Sequence, residues 1–259
     1  MSTILGTLLL VLATFLGISL TLFFITKKYL SFFKFENNGY PAIFSFAIGT
    51  TFGLTLAFIC VSTWQNYKHI DSVVSKEATT LTTIYRSLEA FKPEFRDSSA
   101  KLLTAYTKKV IEQEWPLMSN GQFDHDAYKE FHQFQIGLLN HIPLNNAELL
   151  AQQEELRLIS DYYALRLERI TSAKSALDHS MMLTLSLGAL IFILYQCLHA
   201  MPDNRQHLVM ISLLSISIGL IFFLILSYNT PFSGPNAISS EAIRKALALW
   251  QIDSVAPLR

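Results

Sequence analysis

Hydrophobic positions in this chain are gathered into long blocks separated by polar, helix-patterned sequence. Apolar residues run from Thr3 to Ile25, with no charge before Lys27. Charge-free stretches recur from Tyr40 to Tyr67, from Met181 to Leu198 and from Leu208 to Tyr228. Each falls within or above the roughly 17–25 residues that let a helix cross a bilayer. The first block has no basic start, so it reads as an uncleaved membrane helix rather than a secretory leader.

Between the second and third blocks the pattern is amphipathic. Ile70, Val74, Leu81, Ile84 and Leu88 continue a helical stripe out of the second block, so one helix is expected to run on to about Ala90, ahead of Lys92-Pro93. A second soluble helix, Glu94 to Glu114, places Phe95, Leu102, Tyr106 and Val110 on one side and ends at Trp115-Pro116. After the loop signal Ser119-Asn120-Gly121, Asp124 or Asp126 caps a third, with Phe131, Phe134 and Leu138 inward. The last starts near Asn145 or Asn146. Its Leu149, Leu156, Tyr163, Ile170 and Leu177 stand seven apart, and nothing interrupts it before Met181, so a single helix is expected to enter the membrane. No strand-like alternation of useful length occurs.

The expected fold class is therefore all-α: a polytopic membrane protein with four transmembrane helices and a helical-bundle domain between helices 2 and 3. Residues 1–63 hold transmembrane helices 1 and 2, and 64–179 the soluble helical domain. Residues 180–229 hold helices 3 and 4, and 230–259 a tail in which Ser239 or Ser240 starts a short amphipathic helix to Trp250. The linkers are Lys27 to Gly39, with turn formers Asn37-Asn38-Gly39, and the turn Pro202-Asp203-Asn204. Both lie on one side, opposite the domain and the termini. Basic residues near membrane ends fall on both sides (Lys27, Lys28, Lys34 and Arg205 against Lys68, Lys76, Arg166, Arg169, Lys174, Arg244 and Lys245), so charge does not orient the chain.

Composition agrees with a membrane protein. The 259 residues are 51% hydrophobic and 15% charged, with mean hydropathy +0.33. A formal net charge of zero and the lack of any nucleic-acid-binding signature point away from a nucleic-acid partner. Cys60 and Cys197 both sit in apolar runs and form neither a zinc pattern nor a disulfide framework.

The second block is the most patterned. Ser45, Gly49, Gly53 and Ala57 recur every four residues as a helix-packing face, with a GxxxG pair that lets another backbone approach. Elsewhere on the same helix Thr51, Thr55 and Ser62 mix with Phe44, Ile48 and Phe58. The hydroxyls suit either a pore surface or bonding back to helix carbonyls. A second small pair, Ser215 and Gly219, lies in the fourth block, and Trp64 and Tyr67 mark an interface.

No Asp, Glu, Lys or Arg lies inside any block, which disfavours proton-coupled carriers and pumps. Glu77 is the notable carboxylate. It stands midway between Ile70 and Ile84 on the inward stripe, where an unpaired charge is costly, and helix rise puts Arg166 or Arg169 level with it as a structural ion pair. Glu112 and Glu114 are two apart and point to different helix sides, so a structural role with Trp115 as an anchor is favoured over a paired-carboxylate site. Asp124-His125-Asp126 reads as a helix start rather than a metal site. There is no HExxH, phosphate loop, GxSxG elbow or nucleophile–base pair, and no cofactor, metal site or enzyme activity is expected.

These residues together resemble the bacterial bestrophin-like family. The resemblance runs from about Asn37 to Phe232. It is carried by Gly49-Thr50-Thr51-Phe52-Gly53-Leu54-Thr55-Leu56-Ala57-Phe58, by Glu77-Ala78 with Leu81, Tyr85 and Arg86, and by Tyr106, Val110 and Glu114-Trp115-Pro116. Arg169-Ile170 and Pro231-Phe232-Ser233-Gly234 complete it. The chain departs from the family at Leu177–Met182, where a proline and a tryptophan are usual, and at Asn229, where aspartate is usual. The resemblance implies a pentameric homo-oligomeric channel for small anions in the bacterial inner membrane, with its soluble domain cytoplasmic. Phe44, Ile48, Thr51, Thr55 and Phe58 of the second helix would line its pore. The alternative is a membrane-anchored sensor or scaffold whose helical domain binds a ligand or protein partner.

Overall fold

The computed structural model describes residues 2–29, 40–122, 128–174, 176–199, 201 and 203–255. All of its regular structure is helical: α1 (Ser2–Tyr29), α2 (Tyr40–Ser87), α3 (Pro93–Lys109), α4 (Trp115–Met118), α5 (Tyr128–Asn140), α6 (Asn146–Thr171), α7 (His179–Cys197), α8 (Asn204–Asn229) and α9 (Glu241–Val255). Four of these, α1, the start of α2, α7 and α8, are long and apolar enough to cross a membrane. The linker around Lys34 and Asn37–Gly39, the Asp124-His125-Asp126 segment and Pro202 lie outside the described residues.

The chain divides into two compact units: Met1–Tyr67 with Ser175–Asn229, and Lys68–Lys174 with Thr230–Arg259. The first is the membrane unit. Gly219 lets α1 and α8 approach, since a Cβ there would meet Leu12 at 3.1 Å and Phe15 at 3.5 Å. Phe15 packs on Phe222 at 4.8 Å, and Ser215 is fully buried beside this seam. Between α2 and α7 two glycines are each covered by a phenylalanine of the other helix. A Cβ on Gly49 would meet the Phe192 ring at 3.0 Å, and one on Gly188 would meet Phe52 at 3.0 Å. At the α2 start, Tyr195 Oη donates to Pro41 O (3.0 Å) and Gln196 Nε2 donates to Ser45 Oγ (2.6 Å).

The second unit packs Leu81 and Ile84 of the α2 stripe into one core with α3, α5, α6 and α9, and Ile70 and Val74 of the same stripe are buried as well. Phe131, Phe134 and Leu138 of α5 and Tyr106 and Val110 complete the core. Asn145 Oδ1 caps α6 by accepting from Glu148 N at 2.9 Å. Trp250 of α9 stacks on Tyr85 with ring centroids 4.5 Å apart.

Three sequence expectations are corrected. First, α6 does not run into the membrane. It ends at Thr171, and α7 starts at His179. The break is held by Asn229, whose carbonyl accepts from Ala176 N (2.9 Å) and whose Oδ1 accepts from Leu177 N (2.8 Å). Two amides that would have gone unpaired are thereby answered from a distant part of the sequence. Second, the helix begun at Pro93 does not stop at Trp115-Pro116. A π turn over Val110–Glu114 lets Trp115 N bond to Val110 O, and helix resumes through Pro116 to Met118. Proline has no N–H to give the ladder, and the shifted turn accommodates it. Third, the heptad on α6 is displaced by one residue. Leu149 is 39% exposed, whereas Glu148, Glu155, Tyr162 and Arg169, also seven apart, are buried. The leucines flank a seam that is polar.

Candidate functional site

Two regions gather the residues that the sequence singles out, and each lies within one unit. In the membrane unit, α2 is the least covered span: 6% of its apolar window is buried, against 17% for α1, 28% for α7 and 39% for α8. Phe44 (62%) and Phe58 (74%) are exposed, as are Thr51 and Thr55. Ile48 is half-buried and packs against the membrane core. Thr51 Oγ1 donates to Ala47 O at 3.0 Å and Thr55 Oγ1 to Thr51 O at 2.9 Å, so both hydroxyl protons are held by their own helix. The small row splits. Ser45 and Gly49 are taken up by α7 of the same chain, while a Cβ placed on Gly53 would meet nothing within 4 Å and Ala57 is exposed.

In the second unit the charged residues converge on Arg169. It is fully buried, its Nε and Nη2 donate to the two Glu77 oxygens at 2.6 and 3.0 Å, and Nη2 also donates to Glu114 Oε1 at 2.7 Å. Nη1 donates to Met118 Sδ at 2.7 Å, and Trp115 lies under the guanidinium at 5.1 Å. Arg166 reaches the other Glu114 oxygen rather than Glu77. Burial alone draws the Arg169 pKa down, but the Glu77 and Glu114 carboxylates more than offset this and hold the group charged. The buried Tyr106 and Tyr162 hydroxyls bond to each other beside the cluster, and burial pushes both phenols up, so they stay neutral.

Glu112 and Glu114 point to different sides, as their two-residue spacing predicts: Glu112 is exposed and Glu114 is fully buried. Trp115 also ties down the segment after α8. Its Nε1 donates to Ile238 O at 3.2 Å and its ring meets Phe232 edge-on at 5.6 Å. That segment turns at Gly234, whose φ of 83° favours glycine, and closes with Ile238 N donating to Pro231 O at 2.8 Å. Residues scattered over the sequence (Glu77, Glu114-Trp115-Pro116, Arg169 and Pro231–Gly234) thus meet in one place.

Comparison with known proteins decides the family. A family model for the bestrophin-like domain matches residues 6–243. The chain belongs to the bestrophin-like family. No curated protein matches the bestrophin-like chain, and no solved structure does. The matched span takes in the first candidate membrane helix from residue 6, the other three in full, and the whole Arg169 cluster.

Sequence reasoning placed Glu77 beside Arg166 or Arg169 without separating the two, and it missed Glu114 as the group that bridges both arginines. The missed signal lay in the α6 seam. Tyr162, Arg166 and Arg169 follow the spacing of an inner face, but polar residues there do not register in a hydrophobic pattern.

Proposed function

We propose that this bestrophin-like protein is a homo-oligomeric ion channel, with α2 of each protomer against a shared axis and small anions as the conducted species. The observation that carries the reading is the bareness of α2, which leaves most of a spanning helix without cover from its own chain. Gly53 and Ala57 offer a flat strip on which a neighbouring helix can approach closely. Phe44, Thr51, Thr55 and Phe58 offer an exposed apolar and hydroxyl surface, the kind that gates by dewetting and replaces part of an ion's hydration. Ile48 joins them at the edge of the face, half covered by the protein's own core. An anion needs a donor, and the Thr51 and Thr55 hydroxyl protons point to helix carbonyls. Anion passage therefore calls for these hydroxyls to turn off their carbonyls as the ion arrives.

By family likeness the assembly is a pentamer in the bacterial inner membrane, with the second unit in the cytoplasm. The test is the mass of the detergent-purified protein followed by chloride and sodium flux in liposomes. A ring-sized oligomer whose chloride flux changes on substitution of Thr51 or Thr55, with assembly intact, supports the proposal. A monomer, or an oligomer silent to both ions across pH, overturns it and favours a membrane-anchored sensor or scaffold.

A further inference from the structure

Among the described residues, the buried carboxylates of the second unit have both oxygens answered, with one exception. Glu77 and Glu114 face arginines, and Glu148 accepts from Leu144 N at 2.7 Å and is hydrogen-bonded to His141 at 2.9 Å. Glu155, on the same inner face of α6, has no exposed surface, and its Oε2 has no hydrogen-bond partner among the described residues. Its Oε1 touches one group, the hydroxyl of Ser87. Ser87 is the last residue of α2 and leads into a 3₁₀ turn, Leu88–Ala90.

The hydroxyl is a poor partner for a buried charge. Ser87 Oγ also lies 2.9 Å from Thr83 O and 3.0 Å from Ile84 O. It has a single hydrogen for these acceptors, and neither carbonyl has one to give. With that hydrogen shared among three acceptors, an ionised Glu155 would hold one weakly met oxygen and one buried oxygen without a donor, whereas a protonated Glu155 is neutral and can itself donate to Ser87 Oγ. We propose that protonated Glu155 is a latch that pins the end of α2 to α6, and that loss of its proton releases the α2 terminus and the following 3₁₀ turn.

The charged groups around it are exposed, and Glu154 next to it adds to the upward push on its carboxyl. On α6, Glu154 and Arg157 flank it and are exposed, and the Glu148–His141 pair lies about 10 Å along the axis. Arg86 of α2 and Glu89 of the 3₁₀ turn are exposed, as are Lys101 and Lys108 of α3, Lys129 and His132 of α5, and Glu241, Arg244 and Lys245 of α9. Glu130 of α5 is taken up by Lys109. Otherwise the site is bounded by the apolar core formed by Ile84, Leu88, Phe91, Leu158 and Ile159. Burial pushes the Glu155 carboxyl up to about 7, against the opposing effect of the Ser87 contact, so the latch works in the neutral range.

This inference stands apart from the channel reading, because its readout is backbone protection rather than conductance. Hydrogen exchange of the full-length protein in detergent is measured over residues 84–91 at about pH 5.5 and about pH 8.5, corrected for intrinsic exchange. Wild type is expected to lose about tenfold in protection at the higher pH. Glu155→Gln, which keeps a donor for Ser87 and cannot ionise, is expected to hold its protection at both. Equal losses in the two proteins, or no loss in wild type, overturn the proposal. If Glu155→Gln does not fold, Ser87→Ala replaces it. Without the hydroxyl, which opposes the upward push on the carboxyl, the midpoint of the wild-type transition shifts to higher pH, and an unchanged or lowered midpoint counts against the latch.

Discussion

A guanidinium with no exposed surface persists where its charge and its donors are both answered, and Arg169 is answered by Glu77, Glu114 and Met118. With Arg166 the cluster holds two cations and two carboxylates, so it is neutral as a whole. Glu77→Ala leaves one buried positive charge in excess and is expected to cost on the order of 3 kcal/mol of stability in detergent unfolding. In a cycle of Glu77→Gln and Arg169→Met, the double variant should lose less than the sum of the singles, by about 1–3 kcal/mol; additive losses would exclude the pairing. Glu155 makes the opposite prediction about pH. Its folded pKa, about 7, lies above its ordinary value of 4.5. Its contribution to stability is thus complete below about 4.5 and drains away as pH rises through about 7. Glu155→Gln should therefore gain on wild type at about pH 8 by up to about 3 kcal/mol and show no such gain at about pH 4.5, checked by thermal unfolding across pH.

Among the elements, α2 has two glycines one turn apart with different surroundings. A side chain at Gly49 runs into the Phe192 ring of α7, so Gly49→Leu is expected to pry α2 from α7 and destabilise the membrane unit by about 1–3 kcal/mol. Gly53 meets nothing in its own chain, so Gly53→Leu should leave the protomer's stability unchanged while weakening assembly through α2. Thermal stability and oligomer mass, measured on both variants, separate the two effects. Equal losses of protomer stability would show that α2 packs otherwise. The reciprocal arrangement, Gly188 beneath Phe52, explains why α7 carries its only glycine where it does.

For the whole molecule, four helices long and apolar enough to cross a membrane predict a chain that returns to its starting side. Reporters inserted at Asn120 and after the C-terminus should signal from the same compartment, and one at Asn204 from the opposite compartment. A mismatch between Asn120 and the C-terminus would mean that one of the four helices does not cross. A cytoplasmic signal from Asn120 is expected from the family likeness.

The membrane helices, the all-α class and the buried stripe of α2 are legible in the order of residues alone, because each rests on hydrophobic burial, which repeats at fixed local spacing and needs no partner to be recognised. Glu77 is legible too, as a carboxylate that requires a cation, since desolvation makes an unpaired charge on an inward stripe costly. Other features exist only in the folded chain. The extended stretch before α7 is held at Ala176 and Leu177 by Asn229, more than fifty positions away, and no local residue announces it. The inner seam of α6 is polar, so its true register is visible only once Glu77, Glu114, Ser87 and Tyr106 are brought opposite it. Likewise, which small residues of α2 meet α7 depends on the azimuth at which the two helices dock, and a four-residue repeat is the same for every member of its row. Burial is written in local periodicity, whereas pairing is written in distance between segments, and only folding supplies that distance.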